Sequence, residues 1–183
     1  MNLLTKVFSL LIASLLIVGT TNLTPSNAHG PTRQKVTKSV EINASPAKVW
    51  AVIGNFQDMG WHPAIEKTEG ENGNKEEATR ILTLGGGATI EEELLSHSDE
   101  DMSYKYRITK VDVKTLPVNN YSSTISVKAA DGDKSVVTWK GAFYRGYMNN
   151  DPPEDLNDEA AKKAVSGVYQ GGLDALKKKL EAK

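Results

Sequence analysis

There is no cysteine among the 183 residues. That removes thiolate metal sites, a cysteine nucleophile and every disulfide, so the folded chain rests on its core alone. There is no charge excess either: 22 basic side chains stand against 23 acidic ones, a formal charge of −1. Without a basic surplus to hold phosphates, composition argues against nucleic acid as a partner. No Ser-His-Asp spacing, glycine-rich phosphate loop or zinc motif occurs. The acidic run Ser98-Asp99-Glu100-Asp101 lacks the spacing of a calcium loop and reads as a solvated turn. The longest apolar run, Val7 to Val18, is too short for a membrane span. No internal repeat is present.

That apolar run fits another signal. Lys6 supplies a positive n-region, Val7 to Val18 an h-region, and Ser26-Asn27-Ala28 a small-x-small cleavage site. Residues 1–28 therefore read as a secretory signal peptide cleaved after Ala28, with no stable membrane insertion afterwards. An uncleaved anchor is the alternative. Removal of 28 residues from 183 leaves 155, and loss of Lys6 takes the formal charge to −2. Residues 29–34 read as an extended arm and 35–183 as one domain.

Organisation centres on the stretch from Ser45 to Ile65. Ser45-Pro46 is a helix start, a hydroxyl cap followed by a proline with a helical φ. Ala47, Val49, Trp50 and Ile53 give an apolar face, and Gly54 ends it. Residues 55–59 predict a second short helical turn, stopped by Trp61-His62-Pro63. Strands flank this pair. Alternation predicts them at Lys35–Asn43, Ala64–Glu69, Ala78–Leu84, Ala88–Ser96, Met102–Val111, Asn120–Ala129 and Ser135–Tyr144. Turns fall at Asn72-Gly73, at Gly85-Gly86-Gly87 and at Asp131-Gly132-Asp133. A long helix over Glu154 to Leu180 carries an apolar stripe that includes Val165, Val168, Tyr169, Gly172, Leu173 and Leu176. Acids at its start and Lys177-Lys178-Lys179 at its end complement the helix dipole. The fold class is α+β: a curved seven-stranded antiparallel sheet gripping the C-terminal helix, with two short helices after the first strand.

The inward faces of that sheet carry more polar groups than a dry core takes. Tyr104, Tyr106, Tyr121 and Ser123 bring hydroxyls, and Glu92, in line with Ile90 and Leu94, brings a carboxylate. An unpartnered buried carboxylate is costly, so Glu92 calls for water, a hydroxyl network or a ligand. Gly167, Gly171 and Gly172 each cost about 1 kcal/mol against alanine in a helix and point to space or close approach there. A cavity between sheet and helix follows. Its expected ligand-binding residues are Trp61, His62, Glu92, Tyr104, Tyr106, Ile108, Tyr121, Ser123, Trp139, Val168 and Gly172. The competing expectation is a solid interior, with Glu92 at an edge and tyrosine hydroxyls in solvent. His62 reads as a turn cap beside a packed Trp61, and His97 as exposed. His29, as first mature residue, joins an amine to an imidazole but has no second metal ligand in view. No catalytic residue, metal or cofactor is assigned.

The segments VEINASPAKVWAVIGNFQDMGWHPAI, ATIEEELLS, NNYSSTISV and TWKGAFY, with the long final helix, resemble the SRPBCC superfamily over residues 35–181. This is the Bet v 1-like, START-like helix-grip group that includes polyketide cyclases and dehydrases. The resemblance implies a cavity for a hydrophobic small molecule. Plant hormone receptors of this fold have pocket groups at positions similar to Glu92, Tyr106, Ile108, Tyr121 and Ser123. Their gating loop lies where Gly85-Gly86-Gly87 replaces its bulkier residues, and their second loop at Lys114 to Leu116. A narrower resemblance, carried by the arm His29-Gly30-Pro31-Thr32 and by Trp61-His62-Pro63, is to the exported MxaD-like proteins of methylotrophs. It implies a periplasmic, non-enzymatic accessory of methanol oxidation, with methanol dehydrogenase and its c-type cytochrome as partners. The alternatives are a periplasmic carrier of a hydrophobic molecule and a cyclase-like enzyme using Glu92, Tyr121 or His62 as acid or base.

Overall fold

The computed structural model describes residues 30–182. The predicted signal segment and His29 lie outside the described residues. The described chain folds as β1 (Gln34–Ile42), α1 (Pro46–Ile53), β2 (Ile65–Glu71), β3 (Thr79–Leu84), β4 (Thr89–Ser98), β5 (Ser103–Val111), β6 (Val118–Ala130), β7 (Lys134–Arg145) and α2 (Asp158–Glu181). The strands form one curved antiparallel sheet in the order β1-β7-β6-β5-β4-β3-β2. α2 lies along β1 and β7 and closes the concave face.

Each element follows from local sequence. Period-two alternation buries Ile90, Glu92 and Leu94 on β4, and Tyr121, Ser123, Ile125 and Val127 on β6. On α2, Ala161, Val165, Tyr169, Gly172, Leu173 and Leu176 recur at helical spacing and are all buried. Asn157 caps α2 by accepting from the Ala160 N–H at 2.8 Å. The helix was predicted from Glu154. A single 3-10 turn fills Glu154–Leu156 instead, because Asn157 is extended (φ −84°, ψ 179°) and separates the two. Ser45 occupies the cap position of α1 and Pro46 its first turn, although the serine side chain makes no capping bond.

One more local prediction needs correction. Where a second short helix was expected after α1, the chain makes consecutive hydrogen-bonded turns: Asp58 N–H to Asn55 O, His62 N–H to Met59 O and Ile65 N–H to His62 O. Asn55 favours this by turning its side chain onto the Gln57 N–H, a local bond that competes with a helix. Pairing between β5 and β6 covers only part of their length. Their ladder joins only Ser103–Arg107 to Ser126–Ser122. A bulge on β6 between Asn119 and Ser122, with Asn120 at φ 46°, bends that strand away. The strands therefore diverge towards the 112–117 connection, and this end of the grip stays incompletely closed.

Candidate functional site

The carboxylate expected to lack a partner has one. Arg80, on β3, pairs across the ladder with Glu92 on β4. Its Nε donates to Glu92 Oε2 at 2.7 Å, and Nη2 lies 2.7 Å from the same oxygen. Nη1 donates to the Phe56 carbonyl at 2.7 Å, tying the turns after α1 to the sheet. The guanidinium also lies over the Phe56 ring, 4.2 Å from its centroid, and 5.1 Å from that of Tyr106. Both charged side chains are almost fully buried. Burial pushes the Glu92 carboxyl above its ordinary range, and the adjoining guanidinium pulls it back.

Beside this pair the hydroxyls satisfy one another. Tyr121 and Tyr169 share a hydrogen bond of 2.6 Å, and Ser123 and Tyr169 one of 2.9 Å. The Trp139 Nε1–H donates to Ser123 Oγ at 3.0 Å and to Tyr106 Oη at 3.1 Å. The Ser123 Oγ–H donates to the Lys140 carbonyl at 2.9 Å. Tyr169 stacks on Trp139 with ring centroids 4.5 Å apart. It fits because Gly141 lies beneath it; a Cβ there would overlap the tyrosine hydroxyl. Burial raises the phenols of Tyr106 and Tyr121 well above normal and that of Tyr169 to about 12. All three stay protonated at neutral pH and serve as hydrogen-bonding walls rather than bases.

His62 clasps the turns after α1 to α2. Its Nδ1 accepts from the Ala64 N–H at 3.2 Å, so its proton sits on Nε2, which donates to the Val168 carbonyl at 3.0 Å. Burial lowers its pKa. The ring approaches α2 at Gly172, where a Cβ would come within 2.9 Å of Nε2 and 3.0 Å of the Trp139 ring. Gly172 is thus required by close approach. Gly167 and Gly171 were expected to serve the same end, but a Cβ at either meets nothing within 4 Å among the described residues. They face outward on the helix, so a cavity does not account for them.

A cavity of about 70 Å³ remains at the open end of the grip. Of the residues expected to bind a ligand, His62, Glu92, Tyr106, Ile108, Tyr121, Trp139 and Val168 line it. Trp61, Tyr104, Ser123 and Gly172 do not. Trp61 packs edge-on against His62 and near Trp139, and Ser123 and Gly172 sit one layer deeper, supporting the wall. Tyr104 belongs to a second aromatic group with Trp50, Phe56 and His97. The expectation that His97 is exposed is corrected by the same group: it is half-buried, stacked on Tyr104, with Nε2 2.7 Å from the Gly54 carbonyl oxygen. Apart from Thr115 the remaining lining is apolar, with Leu82, Leu84 and Ile90 on one side and Leu116 from the 112–117 connection on another.

Two residues of this site were missed in the sequence. Arg80 was legible: a hairpin centred on Gly86 sets Arg80 opposite Glu92 as surely as Leu82 opposite Ile90. Tyr169 was placed on the apolar stripe of the final helix, but only tertiary packing brings its hydroxyl to Tyr121 and Ser123.

The model of the family described as polyketide cyclase / dehydrase and lipid transport matches residues 33–181. Among solved structures, the protein XoxI from Bacillus cereus is 33% identical, with 81% of this chain and 96% of that chain covered and a TM-score of 0.69. A putative uncharacterized protein from Bacillus thuringiensis is also 33% identical, with 80% and 98% covered and a TM-score of 0.68. A truncated norcoclaurine synthase from Thalictrum flavum shares the fold at 16% identity, with 86% and 99% covered and a TM-score of 0.63. The sequence has no significant match among curated proteins.

Proposed function

The chain belongs to the polyketide cyclase / dehydrase and lipid transport family, and from that premise we propose that it is a binding protein for a small apolar molecule rather than an enzyme. The observation that carries this reading is the mutual engagement of the interior polar groups. Glu92 is held by Arg80, His62 uses both ring nitrogens, and the hydroxyls of Tyr121, Ser123 and Tyr169 bond one another. Among the described residues of the cavity wall, the carboxylate of Glu92 is tied through Oε2 to Arg80, and His62 has both ring nitrogens engaged. The cavity walls are otherwise apolar, which suits a ligand held by shape.

Size sets the terms. At about 70 Å³ the space is under half of a cavity that holds benzene, about 150 Å³. A larger ligand enters with movement of Leu116 and Thr115, which sit on the connection between the diverging strands. Native mass spectrometry of protein purified from its host tests the reading. A retained small molecule that is lost in Ile108→Phe supports it. Absence of any retained mass, together with no uptake of benzene or indole by Leu116→Ala, refutes it. Activity of the host protein that falls at least about a hundredfold in Glu92→Gln or Tyr121→Phe, in folded variants, favours an enzyme instead.

The finer reading is a periplasmic accessory of methanol oxidation, acting with methanol dehydrogenase and its cytochrome. It is supported by the signal-like residues 1–28, the arm and Trp61-His62-Pro63, through their resemblance to MxaD-like proteins. Deletion of the gene from its host should slow methanol-dependent oxygen uptake at unchanged dehydrogenase content. Unchanged uptake rejects this role and leaves the binding reading standing.

A further inference from the structure

The cavity uses the concave side of the sheet. The convex side has a separate feature, and it holds whether or not the cavity takes a ligand. Pairing registers place two rows of outward side chains across β1, β7, β6 and β5. One row runs Thr37, Lys140, Thr124, Lys105, and the next runs Lys35, Ala142, Ser122, Arg107. At about 4.8 Å per strand, Lys140 and Lys105 stand about 10 Å apart, with a threonine between them. Arg33 adds a fifth cation, its Nη2 3.2 Å from Ser122 Oγ and its guanidinium 5.6 Å from the centre of the Tyr144 ring.

These cations are uneven in their pairing. Arg107 is held by Glu93, whereas Lys35, Lys105 and Lys140 make no ion pair among the described residues. On the other half of the same face Glu91 is paired with Lys110, Glu93 with Arg107 and Glu69 with Lys67, while Glu71 on β2 makes no ion pair among the described residues. A chain that is net acidic thus keeps a local cluster of unneutralised cations on the convex face of its sheet. Residues 1–29 contain no aspartate or glutamate, so the chain's own N-terminal segment does not supply the missing charge. A second copy is disfavoured as well, because three of the four carboxylates of its β2–β4 half, Glu69, Glu91 and Glu93, are already paired internally.

A further observation selects the kind of partner. Beyond Arg107 and Ser122 the β5–β6 ladder stops, so Ile108–Val111 and Asn119–Tyr121 turn unladdered backbone towards one another. A surface trough follows this opening. It continues over Ser122 and Thr124 to Lys35 and Lys140. Free strand backbone offers N–H and C=O groups at peptide spacing, which an extended polypeptide matches. Among the described residues the exposed large apolar side chains are Ile81, Met148 and Val168, none of them in this field, and Leu95 beside Lys105 is half-buried, so little flanks the lysines to enter a lipid surface. Between the lysines the floor is Thr37, Ser122 and Thr124, and the Tyr144 ring at its edge is already covered by Arg33, so bases have little to stack on.

We propose that the convex face of β5, β6, β7 and β1 docks an extended, acidic segment of a partner protein, with Lys35, Lys105 and Lys140 meeting its carboxylates. Rim cations of this kind govern encounter rate and salt dependence more than contact area does.

The test uses protein purified from its host and an acetylated octapeptide alternating glutamate and valine, which sets all its carboxylates on one face of a strand. Binding is read by fluorescence anisotropy and by amide chemical shifts. Shifts concentrated in 105–111 and 118–124, and affinity that falls about tenfold or more in Lys105→Glu/Lys140→Glu, are expected. The matched reversal Lys163→Glu/Lys178→Glu on α2 should change affinity less than about twofold. Equal loss in both variants, shifts elsewhere, or no peptide binding overturns the proposal. So does preferential binding of phosphatidylglycerol vesicles or duplex DNA through the same lysines, or a dimer in light scattering that the Lys105/Lys140 reversal abolishes. The amide spectrum reports in each sample that the variant is folded.

Discussion

Alanine placed at each of the three glycines of α2 separates helix propensity from close approach. In a helix interior, Gly→Ala stabilises by about 1 kcal/mol. At Gly167 and Gly171 nothing opposes this gain, since a Cβ meets open space. Both substitutions should stabilise by about 1 kcal/mol, or about 2–4 °C in a domain of this size. At Gly172 the same methyl falls within 2.9 Å of His62 Nε2 and 3.0 Å of the Trp139 ring, and closer still to His62 Cδ2. His62 must move, so its bond to the Val168 carbonyl is lost, at about 1 kcal/mol. Overpacking against Trp139 adds about 1–3 kcal/mol. Net of the propensity gain, Gly172→Ala should destabilise by about 1–3 kcal/mol. Urea denaturation of the three variants measures this directly. Prior truncation of His62 to alanine should remove much of the penalty, a coupling of about 1–2 kcal/mol in a double-mutant cycle. If Gly172→Ala stabilises as much as Gly167→Ala, the clasp between His62 and the helix is wrong.

Other perturbations probe the rest of the site. Burial holds His62 neutral with a pKa below the unfolded value of about 6.5, so the unfolded chain binds the extra proton first. Its contribution to stability is full above that value and is lost as pH falls from about 6.5 through the lowered folded pKa; urea midpoints at pH 7.5 and 5 should differ, and the difference should shrink in His62→Ala. Arg80→Met strands the Glu92 carboxylate and should cost about 3–5 kcal/mol, whereas Arg80→Met/Glu92→Leu should recover most of that. A loss under about 1 kcal/mol for the single variant would mean the pair is not buried as described. Tyr121→Phe removes one of two hydroxyl partners of Tyr169 and should cost about 1 kcal/mol, because Ser123 still bonds Tyr169; thermal melts check it.

Much of the architecture was legible before any coordinates. Alternation at Ile90, Glu92 and Leu94 fixes which face of β4 turns inward, since a strand repeats every two residues whatever it packs against. Helical spacing from Ala161 to Leu176 does the same for α2. Half of the Glu92 story was also there. Its inward direction is local, and its partner follows from hairpin register, which was not carried across to Arg80. The second short helix failed for a local reason as well, since Asn55 bonds forward to Gln57.

What the chain decides by itself, then, is periodicity, direction and hairpin register, because these depend on neighbours along the backbone. Only the assembled molecule decides that Gly172 faces a histidine while Gly167 and Gly171 face open space. It alone sets the size of the cavity, about 70 Å³, and the divergence of β5 from β6. Empty volume is what remains after elements distant in sequence have seated against each other, so no single segment encodes it.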